Sequence, residues 1–241
     1  MNMRLTEWRV AALIPAAGSG QRMGSTVPKP YLRLGGREIL ARTLEVFETC
    51  AVMHDVWVIV SAEQQAICRQ EIVERYGFDK VRGVVTGGDE RQASVWRGLQ
   101  HLAPEVDWVV IHDGVRPFVN HSMIEAVVAE AVQHGAAIAA VPLKDTIKRV
   151  SPQGRVEATV PREHLWRIQT PQAFHRPLLQ RAFEYACQQQ LVATDEAGLI
   201  EAYGHPVHVV QGSEQNVKIT TPDDLVMCER FVDSWPDSQI A

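Results

Sequence analysis

The sequence predicts an α/β fold: a mostly parallel, twisted sheet flanked by helices, with a β-hairpin arm protruding from it. Three observations carry this expectation. Short runs rich in β-formers alternate with longer stretches of helical spacing. The runs are mostly apolar, which fits strands covered on both faces. The alternation fails once, at 145–160, where β-formers flank Ser151-Pro152-Gln153-Gly154 and no helix is spelled out.

Strands are predicted at 10–17, 56–61, 81–86, 108–112 and 136–141, with helices between them at 38–50, 63–76, 91–102 and 122–134. The interruption reads as a hairpin carrying Lys144, Lys148, Arg149 and Arg155. Two strands so charged cannot build a core of their own and are marginal in water unless they pack on something else. The hairpin is therefore expected to reach a second subunit, as the arm of a homodimer. Helices near 177–189 and 195–203 follow, then a strand at 207–211 and a last helix. Thr221-Pro222-Asp223-Asp224 opens that helix with a capping hydroxyl, a proline at the first position and acids at the positive dipole end.

The 241 residues, almost half of them hydrophobic, can bury one sizeable core, so 1–241 is expected to be a single domain with 142–163 as its arm. No repeat, low-complexity segment or linker divides the chain. A net charge of -5 argues against the broad basic surface that nucleic acid requires, while leaving room for a local basic pocket. Cys50, Cys68, Cys187 and Cys228 form no C-x-x-C pair and lie at no zinc-site spacing, so they read as reduced core thiols. The first ten residues, with Arg4, Glu7 and Arg9, do not read as a secretory signal, and the longest apolar runs are too short to span a bilayer. A soluble, cytoplasmic protein with no membrane partner is expected.

In such sheets ligands bind beyond the carboxyl ends of the strands. The first of these loops reads Pro15-Ala16-Ala17-Gly18-Ser19-Gly20-Gln21-Arg22-Met23-Gly24, then Pro28-Lys29-Pro30. Small residues let backbone N–H groups approach a triphosphate, and two cations follow. The spacing fits neither the dinucleotide fingerprint nor a P-loop. Taken alone, the loop is also compatible with a tight turn carrying solvated charges. Gly87-Gly88-Asp89-Glu90-Arg91-Gln92-Ala93-Ser94 enters a helix where a base could be read, or is an ordinary glycine turn with acidic capping. His112-Asp113-Gly114-Val115-Arg116-Pro117 sets an acid just past an apolar strand, suited to a hydrated magnesium ion, a substrate hydroxyl or a turn cap. His112 reads as a satisfied core histidine. Lys218, strand-like before the last helix, says little by itself.

Together these segments resemble the 2-C-methyl-D-erythritol 4-phosphate cytidylyltransferases, over nearly the whole chain. The ordered signatures are P-A-A-G-x-G-x-R-M with P-K, G-G-D-E-R-x-x-S, D-x-x-R-P, D-T-x-K, T-P-Q, T-D-E-A and N-x-K-x-T. The resemblance implies a Rossmann-like fold and transfer of the cytidylyl group of CTP to a polyol phosphate, with release of pyrophosphate, on the non-mevalonate route to isoprenoids. It implies Arg22, Lys29 and Lys218 as the catalytic cations. Pro15, Ala16, Ala17, Gly18, Gly88, Asp89, Ser94 and Gly114 would bind CTP. Asp113, Arg116, Thr146, Arg162, Thr170 and Thr194 would bind the acceptor, some of them arriving from the partner's arm. Mg2+ would ride mainly on the CTP phosphates, with Asp113 as the one protein ligand to consider. A ribitol 5-phosphate cytidylyltransferase and a non-catalytic CTP-binding module share many of these motifs. Pro15-Ala16-Ala17, Thr194-Asp195-Glu196-Ala197 and the full set of cations favour the first reading.

Overall fold

The computed structural model describes residues 8–18 and 27–234. In chain order these form β1 (Val10–Pro15), the short pair β2 (Arg33–Leu34) and β3 (Arg37–Glu38), α1 (Ile39–Thr49), β4 (Asp55–Val60) and α2 (Gln65–Ile67). Next come β5 (Val81–Thr86), α3 (Arg91–Gln100), β6 (Trp108–Ile111), α4 (His121–His134) and β7 (Ala136–Pro142). The hairpin β8 (Ile147–Val150) and β9 (Val156–Val160) precedes β10 (Trp166–His175), α5 (Arg176–Gln188), α6 (Glu196–Ala202), β11 (His208–Gln211) and α7 (Pro222–Ser234).

Seven strands form one sheet in the order β11-β7-β10-β6-β1-β4-β5, parallel except for β10, which runs against both neighbours. Alternate residues of β1 point to opposite faces. Val10, Ala12 and Ile14 join Leu40, Leu44, Phe47, Ile124 and Val128 of α1 and α4. Ala11 and Leu13 join Val95, Leu99, Leu179, Phe183 and Ile200 of α3, α5 and α6. The strand is apolar end to end because both faces are covered.

From β1 the chain steps outward through β4 to β5 and then crosses back to place β6 on β1's other side. The strand order thus reverses at β1, and its carboxyl end, beside those of β6 and β4, is where a crevice opens. Asn120 caps α4 by accepting the Met123 N–H at 2.9 Å, and Gly135, at φ 88°, ends it in a backbone form that favours glycine. α7 opens on a reciprocal cap. Thr221 Oγ1 accepts the Asp224 N–H at 3.2 Å, and Asp224 accepts the Thr221 N–H at 2.8 Å.

The expected strands and helices lie within a few residues of their predicted bounds, with three differences. α2 passes into a wider π-helical stretch over Cys68–Glu74 instead of a regular helix. The small β2–β3 pair was not anticipated. Nor was β10, whose buried middle carries Gln169, Thr170, Pro171 and Gln172, of which Thr170 alone is a strand former and Pro171 argues against a central strand.

The arm is present, β8 pairing with β9 in a sheet of their own among the described residues. Its chain is exposed almost throughout, and Val150, Val156, Leu165 and Trp166 all stand more than a third open to solvent. Cys50, Cys68 and Cys228 are buried, and burial pushes the latter two thiols up to about 11. Cys187 is exposed, not a core thiol, because it lies on the outer side of α5. No helix among the described residues is long and apolar enough to cross a membrane.

Candidate active site

Two adjoining cavities of similar size, about 240 and 220 Å³, open at the carboxyl ends of β1, β5 and β6. Backbone hydrogen bonds fix the loops around them. Ala16 N–H donates to Ile59 O at 2.7 Å and Gly114 N–H to Pro15 O at 3.1 Å, so the loops after β1 and β6 continue the sheet's own bonding. A Cβ on Gly114 would stand 3.1 Å from both Ala16 Cβ and Leu40 Cδ1, which explains a glycine where these two turns meet.

The first cavity is lined by Pro15, Ala16, Ala17, Gly18, Lys29, Gly88, Asp89 and Ser94, joined by Asp113 and Lys218. The structure thus gathers nearly all the residues expected to bind CTP. Gly114 lies beneath the wall, packed on Ala16, rather than in the lining. Ser94 is buried and its hydroxyl serves the loop itself. It accepts the Gly88 N–H at 3.0 Å and faces the Gly88 and Glu90 carbonyls at 3.2 and 3.0 Å. That bond curls the glycine turn over the end of α3.

The second cavity holds Asp113, Arg116, Thr170 and Thr194, with Gln169, Gln172 and Asp195. Four of the six expected acceptor residues therefore meet within one chain, Arg116 among them. Thr146 and Arg162 line neither cavity and sit on the arm, where Arg162 donates to the Lys144 carbonyl. Arg22 lies outside the described residues.

Asp113, Arg91 and Lys218 belong to both cavities. Lys218 Nζ is 2.8 Å from Asp113 Oδ2, Arg91 Nε 3.4 Å from Oδ1, and Arg116 Nε 3.6 Å from Oδ2. Burial alone would raise the Asp113 pKa. The field of Lys218 first, then Arg91, overcomes that and holds the carboxyl well below the usual range, so it stays ionised. Arg116 Nε is itself buried and makes no hydrogen bond among the described residues, its nearest acid being Asp113 Oδ2 at 3.6 Å.

Arg91 also donates from Nη1 to both Glu196 oxygens at 2.8 Å. Glu196 is 1% exposed, and burial pushes its carboxyl up while Arg91 pulls it down. This pair was missed from the sequence although both residues stand inside quoted motifs, because nothing local shows that positions 105 apart will meet.

A hydrogen-bond chain lies under Asp113. Its N–H donates to Thr170 Oγ1 at 3.1 Å, Thr170 Oγ1 is 3.2 Å from His112 Nδ1, and His112 Nε2 is 3.0 Å from the Arg116 carbonyl. A carbonyl only accepts, so Nε2 carries the hydrogen, Nδ1 accepts, and the Thr170 hydroxyl donates to it. Burial pushes His112 down to about 4, so it is neutral. His112 is the satisfied core histidine that its setting suggested.

The arrangement places lysines from two distant segments, residues 29 and 218, on one cavity, and fixes one of them to an acid shared with the next. Chemically it can seat two anions side by side.

Comparison with known proteins gives one family. The family model for 2-C-methyl-D-erythritol 4-phosphate cytidylyltransferase matches residues 10–234. The chain is 48% identical over 226 residues to the 2-C-methyl-D-erythritol 4-phosphate cytidylyltransferase of Geobacter metallireducens, covering 92% of this chain and 97% of that one. Among solved structures it is similar to the 4-diphosphocytidyl-2C-methyl-D-erythritol synthase of Anaerococcus prevotii, with a TM-score of 0.82, 29% identity, and coverage of 94% and 99% of the two chains. It is also similar to the 2-C-methyl-D-erythritol 4-phosphate cytidylyltransferase of Thermus thermophilus, with a TM-score of 0.74, 35% identity, and coverage of 93% and 99%.

Proposed function

The chain belongs to the 2-C-methyl-D-erythritol 4-phosphate cytidylyltransferase family, and from that premise we infer how its two cavities serve the reaction. The enzyme transfers the cytidylyl group of CTP to 2-C-methyl-D-erythritol 4-phosphate, giving 4-diphosphocytidyl-2-C-methyl-D-erythritol and pyrophosphate. The first cavity seats CTP, its base toward the Gly88–Asp89 turn and its phosphates toward Gly18 and Lys29. The second seats the polyol phosphate against Arg116, Thr170 and Thr194. The observation that supports this most directly is the position of Lys218, which faces both cavities.

The acceptor's phosphate oxygen attacks the α-phosphorus in line. A new P–O bond forms as the bond to the β-phosphate breaks, and the electron pair leaves on pyrophosphate. A phosphate dianion is nucleophilic enough without a general base, so the protein's part is positioning and charge stabilisation by Arg22, Lys29 and Lys218. Asp113 positions Lys218 at the seam between the seats.

Mg2+ fits as a passenger of the triphosphate. The carboxylates lining the first cavity are Asp89, Glu90 and Asp113, and Asp113 already faces three cations, too little for an all-protein octahedral cage. Asp113 is the residue that would offer it an oxygen, and the ion when bound neutralises charge on the transferring phosphates.

The enzyme works as a homodimer in the cytoplasm. The arm's exposed Val150 and Val156, with exposed Leu165 and Trp166 just beyond it, support a partner covering it, and Thr146 and Arg162 then reach the neighbouring acceptor seat. Pyrophosphate release is measured with CTP, Mg2+ and either methylerythritol phosphate or ribitol phosphate. Release with the first alone supports the assignment, and release with ribitol phosphate alone overturns it. Mixing Arg162→Ala with Arg22→Ala protein should restore activity if sites are shared, and no rescue despite subunit exchange would refute the sharing.

A further inference from the structure

Outside the two cavities, three side chains of α4 and β11 converge without any role in the reaction. Glu130 and His134 stand one turn apart on α4 and so share a face, and His208 begins β11, opposite Ala137 at the start of β7. Glu130 Oε1 is 3.4 Å from His134 Nε2 and 3.3 Å from His208 Nδ1, and the three donor atoms all lie within 4.8 Å of one another. We propose that Glu130, His134 and His208 form a binding site for a divalent transition metal ion of the zinc class, separate from the catalytic centre.

The donor set fits that chemistry. Two imidazole nitrogens and one carboxylate oxygen make an N2O set of the kind zinc accepts, leaving a fourth position for water. Bonds of about 2.0–2.1 Å at a tetrahedral ion place neighbouring donors roughly 3.3–3.4 Å apart, the separation found here on both sides of Glu130. Imidazole donors select zinc, nickel or copper, whereas Mg2+ demands an octahedron of oxygens. The catalytic Mg2+ therefore does not compete for this site.

The two rings now lie stacked, with centroids 3.6 Å apart and planes 6° from parallel, so both nitrogens face the same carboxylate oxygen side by side. For both lone pairs to meet one ion a ring must turn about its last side-chain bond, a soft torsion. Both rings and the acid are about a third exposed, which gives that turn room and gives an ion access. The site lies at the opposite end of the sheet from the cavities, since His208 pairs near the start of β7. Its effect is structural: it clasps the edge strand β11, whose chain continues to Asn216 and Lys218, onto α4.

The experiment is calorimetric titration of ZnCl2 into chelator-treated, full-length protein, repeated on His208→Ala, His134→Ala and Glu130→Gln. One tight site per chain is expected in the natural protein. Each histidine variant should weaken it by more than about 10-fold, the least that losing even an outer partner of a metal site costs. Zinc should also raise the melting temperature of the natural protein and not that of His208→Ala, since only binding to the folded state stabilises it. Turnover of CTP with Mg2+ should be unchanged in His208→Ala, which shows that the variant is folded. Absence of a zinc site in the natural protein, or an unchanged site in active His208→Ala, overturns the proposal.

Discussion

Replacing Lys218 with alanine separates a catalytic cation from a structural one. Its ammonium lies 2.8 Å from Asp113, so the residue could matter merely by compensating a buried charge. The geometry argues otherwise. Asp113 keeps Arg91 at 3.4 Å and Arg116 at 3.6 Å once Lys218 is gone, so its carboxylate stays compensated. The lysine side chain is itself 40% exposed, and after discounting for solvent its pairing is worth no more than about 1 kcal/mol. That corresponds to a fall of about 2–4 °C in melting temperature for a chain of this size. A cation aimed at charge that develops only in the transition state costs about 100-fold to 1000-fold in turnover when lost, or about 2.7–4 kcal/mol. Turnover is read from pyrophosphate release at saturating substrates, CTP affinity from calorimetry, and stability from a thermal melt. The expected result is a large loss of kcat with CTP binding and melting little changed. An enzyme of normal kcat with a strongly lowered melting temperature would refute the reasoning and make Lys218 a counter-ion only.

Asp113→Asn should be the reverse in stability. It leaves Arg91, Arg116 and Lys218 facing one another across a neutral amide, and breaking a buried pair costs about 3–5 kcal/mol, read as a lower urea midpoint. Glu196→Gln should cost less than that, since Arg91 keeps Asp113 at 3.4 Å, and Gln92→Ala, which removes bonds to the 191–193 loop from a less buried position, should cost less again in the same titration. His112 gives a pH signature. Its pKa falls from about 6.5 unfolded to about 4 folded, so between those values the unfolded chain takes up a proton that the folded one refuses. Stability therefore drops as pH falls through that window, by about 3 kcal/mol at its lower end, and His112→Asn should flatten the slope in urea titrations between pH 7 and 4.5. Asp113, depressed below the carboxylate range, contributes stability that persists throughout that window and is lost only at lower pH.

Much of the fold was legible because burial on two faces writes itself into β1, β6 and most of β4 as apolar runs, and because Thr221 marks the start of the last helix by local backbone chemistry. The glycine turn after β5 was legible for the same local reason. β10 was not. Its buried centre is polar since Gln172 donates to Asp195 at 2.8 Å and Gln169 to the Ser213 carbonyl at 2.8 Å, partners known only once the chain is folded. The same holds for Arg91 with Glu196, and for the three cations on Asp113. Charges were visible along the sequence, but which acid each would meet was a property of three-dimensional proximity.

β10 spans two settings within ten residues. Trp166 to Ile168 stand open to solvent beside the arm, while Gln169 to Gln172 make the floor of the second cavity. The change of setting falls at the irregularity in its pairing with β7 between Ile168 and Gln172. The solvent-facing end of the strand is thus continuous with Thr170, whose hydroxyl meets Asp113 N–H at 3.1 Å and His112 Nδ1 at 3.2 Å.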